Sequence, residues 1–191
     1  MQAIYEAFRA HEVEYVTIGG VAVQAYGHPR TTQDIDILAD PSRENLERLA
    51  AALRALGAEI AGVDAHLLGI DPADPDDLAA GANFTLRTRA GELDVWTDPT
   101  ALPGARTWPE LRAAAVDVHL PDGGLVRIVG RDDLIRMKHA AAALQHRPEE
   151  KRNQDRHDIA VLEAARRADE RLANPPPERD TRDGPGHEID S

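Results

Sequence analysis

Asp34-Ile35-Asp36-Ile37-Leu38 alternates carboxylate and aliphatic side chains over the length of a short strand. On a strand, residues i and i+2 share a face, so Asp34 and Asp36 point one way while Ile35 and Ile37 point to the opposite, buried side. Two carboxylates held side by side repel each other unless a cation lies between them. Hard oxygen donors suit magnesium, which takes one or two carboxylates and completes its shell from phosphate and water. Two further features add to this pair. Gly19-Gly20 follows a buried apolar run, where bare backbone amides can approach a phosphate closely. The same two glycines also read as an ordinary turn. Asp94, in Leu93-Asp94-Val95-Trp96, is one acid within an otherwise apolar strand. Beside the first pair it would hold a second ion and orient an attacking hydroxyl, the two-metal arrangement for in-line displacement, with ions roughly 3.5–4 Å apart. By itself it reads equally as a satisfied structural acid.

These residues need elements to position them. Residues 1–11 read as a helix with Ile4, Ala7 and Phe8 on one side, and Val13 to Ile18 as a buried strand ending at the glycines. A short helix over 21–26 closes at Gly27 and Pro29 before the Asp34–Leu38 strand. Ser42 is placed to cap a helix carrying Leu46, Leu49, Ala50, Leu53 and Leu56 and ending at Gly57. Residues 71–77, DPADPDD, read as an acidic, proline-broken loop that lacks the glycine and terminal glutamate of a calcium loop. Phe84–Thr88 and Leu93–Trp96 form a hairpin turning at Ala90-Gly91. Strands near Ala115–Val118 and Leu125–Val129 hinge at Asp122-Gly123-Gly124. Helices over 131–145 and 149–170 part at Pro148, and the polar, proline-rich tail has almost nothing to bury. The expected organisation is a sheet lobe over 1–129, a helical lobe over 130–172 and a disordered tail over 173–191.

Composition removes other classes. There is no cysteine among the 191 residues, so disulfides, thiolate zinc sites and cysteine nucleophiles are excluded. The eight histidines are scattered along the chain with no close pair suited to zinc. No Gly-x-x-x-x-Gly-Lys-Ser/Thr run exists, and neither serine, Ser42 or Ser191, sits in a nucleophile elbow. No apolar run approaches the roughly 18 residues of a membrane helix, and the N-terminus lacks a secretory leader's layout, so the expectation is a cytoplasmic protein with no membrane partner. A net charge of -12 argues against a general nucleic-acid coat protein. Yet Arg127, Arg131, Arg136, Lys138, Arg147, Lys151, Arg152 and Arg156 form a locally basic stretch, either a phosphate-facing surface or a solvated helix face.

The combination of a buried strand, Gly19-Gly20, thirteen residues, Asp34-Ile35-Asp36 and a later apolar-Asp94-apolar strand resembles the DNA polymerase β-like nucleotidyltransferase superfamily. The segment from Gly19 to Ile37 looks more narrowly like the AbiE-type toxin nucleotidyltransferases. Many of these carry an Arg-x-Thr before the acid pair, and Arg30-Thr31-Thr32 occupies that place. The group also has a helix with an Asp-Leu start and a lysine, matched by Asp133-Leu134 and Lys138. A Lys-Asp-x-x-Asp-Ile run follows, matched from Asp155 to Ile159 but with Gln154 where lysine is common. The resemblance covers residues 13–162. It implies an α+β, mixed-sheet, polymerase β-like nucleotidyltransferase fold with C-terminal helices, a magnesium cofactor and a nucleoside triphosphate such as ATP as substrate. Residue by residue, it implies that Asp34 and Asp36 ligate magnesium and the triphosphate, and that Asp94 completes the metal site beside the attacking hydroxyl. Gly19 and Gly20 would cradle phosphate, and Arg30 and Lys138 neutralise it. Thr32, Asp155 and Asp158 join the nucleotide-binding set on the same ground. The residues themselves leave alternatives open: Arg30 as a loop cation, Lys138 as a helix-face lysine, and Asp155 with Asp158 as a helix-stabilising pair among basic neighbours.

Three functions fit these readings. The first is transfer of a nucleotide to an acceptor hydroxyl on RNA or protein in a toxin–antitoxin context, with a cognate antitoxin as partner. The second keeps the chemistry but takes an aminoglycoside or lincosamide antibiotic as acceptor. The third is a partner-binding module of the same fold whose acids no longer hold metal. Retention of Gly19, Gly20, Asp34, Asp36 and Asp94 together argues against the third.

Overall fold

Short β-branched and apolar runs separated by glycine and proline produce the strands of this chain, and a computed structural model describes residues 1–62, 69–119 and 124–174 of it. Among the described residues the strands are β1 (Tyr15–Ile18), β2 (Asp34–Ala39), β3 (Glu59–Ile60), β4 (Asn83–Thr88), β5 (Gly91–Trp96), β6 (Val116–His119) and β7 (Leu125–Ile128). They form one mixed sheet in the order β3-β4-β5-β2-β1-β7-β6. The helices are α1 (Gln2–Ala10), α2 (Gly19–Ala25), α3 (Arg43–Leu56), α4 (Pro75–Ala80), α5 (Trp108–Ala114), α6 (Arg131–Ala143) and α7 (Glu149–Ala173). None is long and apolar enough to cross a membrane.

Strand pairing carries the acids together. β1 runs antiparallel to β2, with Ile18 opposite Asp36, and β2 runs parallel to β5, with Asp36 opposite Asp94. Period-two alternation then separates the faces. Ile35, Ile37, Leu93 and Val95 are fully buried in one cluster with Ile4 and Phe8 of α1 and Leu49 and Leu53 of α3. Asp34, Asp36 and Asp94 look out from the opposite face and remain partly exposed. Burial of each such aliphatic side chain is worth roughly 1.5–3 kcal/mol, so the register that puts the acids outward is the one the core demands.

The elements depart from the sequence expectation at a few places. α2 begins at Gly19, two residues early, because Ile18 stays extended and the glycines themselves enter the first turn. The end of the supposed acidic loop 71–77 instead opens the helix Pro75–Ala80: Pro75 occupies the first turn, where a missing N–H costs nothing, and the Asp74 carboxylate accepts from the Asp76 amide. α5 was not expected at all. Its start is marked by Thr107, whose amide donates to Glu110 at 3.1 Å. Ser42 stands at the start of α3 without a side-chain cap bond; its own amide donates to Asp40 instead. Most of the proposed tail, from residue 175, and Asp122-Gly123 of the proposed hinge lie outside the described residues.

Candidate active site

The C-terminal end of β1, the first half of β2 and the middle of β5 meet on the exposed face near the centre of the sheet. There Asp34, Asp36 and Asp94 each present a carboxylate oxygen within 4.8 Å of the others. Burial and this crowding show in the proton affinity of two of them. Asp36 is pushed up from 3.8 to about 6, first by burial and then by the neighbouring Asp34 and Asp94 charges, against partial relief from Lys138 and the Gly20 amide. Asp94 is raised as well, mainly by burial, with a hydrogen bond from Thr85 and the Lys151 charge acting the other way. Among the described residues the donor set is all carboxylate, and its negative charge is only partly offset. That chemistry fits a hard divalent cation such as magnesium and does not fit a structural zinc.

Gly19 and Gly20 are explained by close approach. Gly19 has φ +62°, and a Cβ there would run into the Asp36 carboxylate; at Gly20 it would lie 2.8 Å from Thr32 Cβ. Only bare backbone lets the start of α2 sit against both acid-bearing β2 and the loop before it. The Thr32 hydroxyl donates to Asp34 at 3.0 Å and so orients that carboxylate. The Arg30 guanidinium lies against Gly20, with its central carbon 3.4 Å from where a Cβ would stand. Asp34, Asp36, Asp94, Gly19, Gly20, Thr32, Arg30 and Lys138 are therefore brought to one place.

Asp155 and Asp158 sit against the cations rather than among Asp34, Asp36 and Asp94. Both are buried, at 1% and 0% exposure. Arg30 donates to Asp158 at 2.6 Å, and Lys138 lies 2.8 Å from both Asp155 and Asp158. Arg147 donates to the remaining oxygen of Asp155, and Gln154 to that of Asp158. The i,i+3 acids thus fix Arg30 and Lys138 in position. Gln154 takes part in the same network as a neutral donor. Asp133, the Asp of the Asp-Leu start, is buried and takes a bidentate contact from Arg106, which ties the segment before α5 to α6.

Thr85 joins the site without having been singled out for it, and the charge of Lys151 acts on Asp94 as well. Thr85 is the β4 partner of Asp94, a pairing that follows once the hairpin turn is placed at residues 89–90. Lys151 was read only as part of a basic stretch. Among the described residues the fold brings two of the sequence-scattered histidines together, His28 and His157, with ring centroids 5.2 Å apart. Among the described residues, the three aspartates form the one group of three or more such side chains that could hold a metal.

No protein-family model matches the chain, and no curated protein matches it in sequence. Solved structures do match in fold. The antibiotic-resistance factor ANT(2'')-Ia matches at 16% identity over 90% of this chain and 91% of its own, with a TM-score of 0.50. The lincosamide antibiotic adenylyltransferase LnuA, solved with lincomycin bound, matches at 15% identity over 84% and 92%, with a TM-score of 0.52. An antigenic nucleotidyltransferase-like protein from Paracoccidioides brasiliensis matches at 17% identity over 91% and 86%, with a TM-score of 0.51. The chain has the α+β nucleotidyltransferase fold, a mixed sheet with C-terminal helices.

Proposed function

We propose that this chain is a magnesium-dependent nucleotidyltransferase of the polymerase β-like type. The observation that carries this reading is the convergence of Asp34, Asp36 and Asp94 from two parallel strands onto the edge where Gly19-Gly20 opens α2. Magnesium, when bound by those carboxylates, would neutralise triphosphate charge and polarise the reacting phosphorus. The acceptor oxygen then forms a bond to the α-phosphorus, the bond to the bridging oxygen breaks, and pyrophosphate leaves. Asp94, whose proton affinity burial raises, would take the hydroxyl proton. Arg30 and Lys138, held by buried acids, meet the phosphate charge without having to reorganise. Thr32 keeps Asp34 in its ligating orientation.

For the acceptor, we retain an RNA or protein hydroxyl in a toxin–antitoxin context in the cytoplasm, a reading supported by the Arg30-Thr31-Thr32 segment and the basic start of α7. An aminoglycoside or lincosamide is the second reading, favoured by the likeness in fold to ANT(2'')-Ia and LnuA. The sheet lobe would hold metal and phosphate, and the helical lobe from residue 130 would close over them.

Thermal melting with each nucleoside triphosphate, with and without magnesium, tests the reaction class. At a hundredfold excess over the dissociation constant, the correct pair should stabilise the fold by about 2.7 kcal/mol. No shift with any triphosphate and any divalent ion would remove the catalytic reading.

A further inference from the structure

We infer that the strip of β4 and β5 beside Asp94, formed by Trp96 and Asn83, is the acceptor subsite of the active site and takes a hydroxylated sugar ring laid against the indole. This inference rests on the nucleotidyltransferase reading and deepens it by naming the class of acceptor.

The side from which an acceptor comes follows from the leaving group. In an in-line displacement the attacking and leaving oxygens stand on opposite sides of the phosphorus. Gly19 and Gly20 lie where β1 passes into α2, Arg30 lies against Gly20, and Lys138 shares Asp158 with Arg30. These are the groups placed for pyrophosphate. The strand order β4-β5-β2-β1 then leaves β5 and β4 on the far side of the acids. As the acceptor oxygen bonds to the α-phosphorus, the bond to the bridging oxygen breaks. Pyrophosphate leaves toward Gly19-Gly20, and the hydroxyl proton passes to Asp94.

Strand register places the groups that meet the acceptor there. Trp96 stands two residues beyond Asp94 on the same face of β5, about 7 Å along the strand. Thr85 is the cross-strand partner of Asp94, and Asn83 that of Trp96. Asn83 and Thr85 are exposed and Trp96 is half-buried, while Phe84 and Val95 turn into the core. The indole packs against the core cluster with part of its surface, so it is held in place while the rest stays open. Among the described residues, neither the indole N–H nor the Asn83 carboxamide has a hydrogen-bond partner. A flat apolar surface bordered by a donor and by an amide that both gives and accepts suits a sugar ring. Its C–H face lies on the indole and its hydroxyls meet the amide. The other charged residues of these two strands, Arg87 and Glu92, lie on the opposite side of Asp94. The strands therefore bring no charge of their own beside Trp96, which favours a neutral ring over a cationic one.

The chain has two tryptophans, so Trp108→Phe leaves Trp96 as the sole indole and its emission reports on the strip directly. This parent protein, with magnesium and a non-hydrolysable ATP analogue, is titrated with a short oligoribonucleotide bearing a free 3′ end and, separately, with lincomycin. A saturable change with the oligoribonucleotide supports a terminal ribose as the ring, and one with lincomycin supports a free glycoside. Adding the exposed substitution Asn83→Ala should weaken binding of that probe by about threefold to tenfold. Thermal stabilisation by ATP with magnesium should stay as in the parent. No saturable change with either probe overturns the inference, and so does an affinity that Asn83→Ala leaves unchanged. If the parent is not stabilised by ATP with magnesium, it is the nucleotidyltransferase reading that fails.

Discussion

Asp36 concentrates the energetic tension of the site in one side chain. Its carboxyl titrates near 6 in the fold against 3.8 for a free aspartate. Between those values the folded protein holds a proton that the unfolded chain has released, so stability falls as pH rises through this window. The contribution is fully present below about pH 4 and gone above about pH 6. Metal-free wild type should therefore lose melting temperature between pH 4 and 6.5 relative to Asp36→Asn, whose neutral side chain cannot titrate. Parallel melts of the two proteins in EDTA check this, and identical slopes would contradict it. Magnesium at pH 7 should stabilise wild type and leave the variant nearly unmoved. Gly19 is the second residue whose identity is forced. Gly19→Ala places a side chain at φ +62° and into the Asp36 carboxylate. The backbone strain alone costs about 1–2 kcal/mol, and loss of magnesium-dependent stabilisation should accompany it.

α7 serves the site through what it buries. Asp158 faces Arg30, Lys138 and Gln154 from a fully buried position, so truncating it leaves two cations short of a partner. Asp158→Ala should cost about 3–5 kcal/mol in denaturant unfolding, as removal of one side of a buried ion pair does. Arg147→Ala removes a half-exposed partner of Asp155 and should cost under about 1 kcal/mol. Equal effects of the two substitutions would mean that the buried acids do not organise the cations. The strands act differently, through register. β2 and β5 align Asp36 with Asp94 because each must also bury its aliphatic residues on the other face.

The whole molecule carries net charge -12, and most of its arginines are paired with acids. A polyanionic acceptor must therefore use cations that no acid holds, and the start of α7 offers the exposed Lys151 and Arg156 with the partly buried Arg152 between them. If RNA is the acceptor, labelling of total RNA should fall steeply with salt, and Arg152→Glu with Arg156→Glu should suppress it while ATP binding persists. A cationic antibiotic would be labelled equally by both proteins. Incubation with labelled triphosphates and, separately, total RNA or an antibiotic panel decides the matter. Label on a drug and none on RNA would discard the RNA reading.

Local periodicity made much of this legible from residues alone. Alternation in Asp34–Leu38 determined which acids share a face, and the spacing of Leu46, Leu49, Leu53 and Leu56 determined the buried side of α3, because both periods are properties of a single element. The glycine pair was also legible as a place where backbone must come close. What the tertiary structure decided is non-local. Asp36 and Asp94 face each other only because β2 pairs in parallel with β5, a choice made by the core and not by either strand. Asp155 and Asp158 have the same helical spacing as a solvated pair. Their burial against Arg30 and Lys138, brought in from a distant loop and from α6, is what makes them supports of the site.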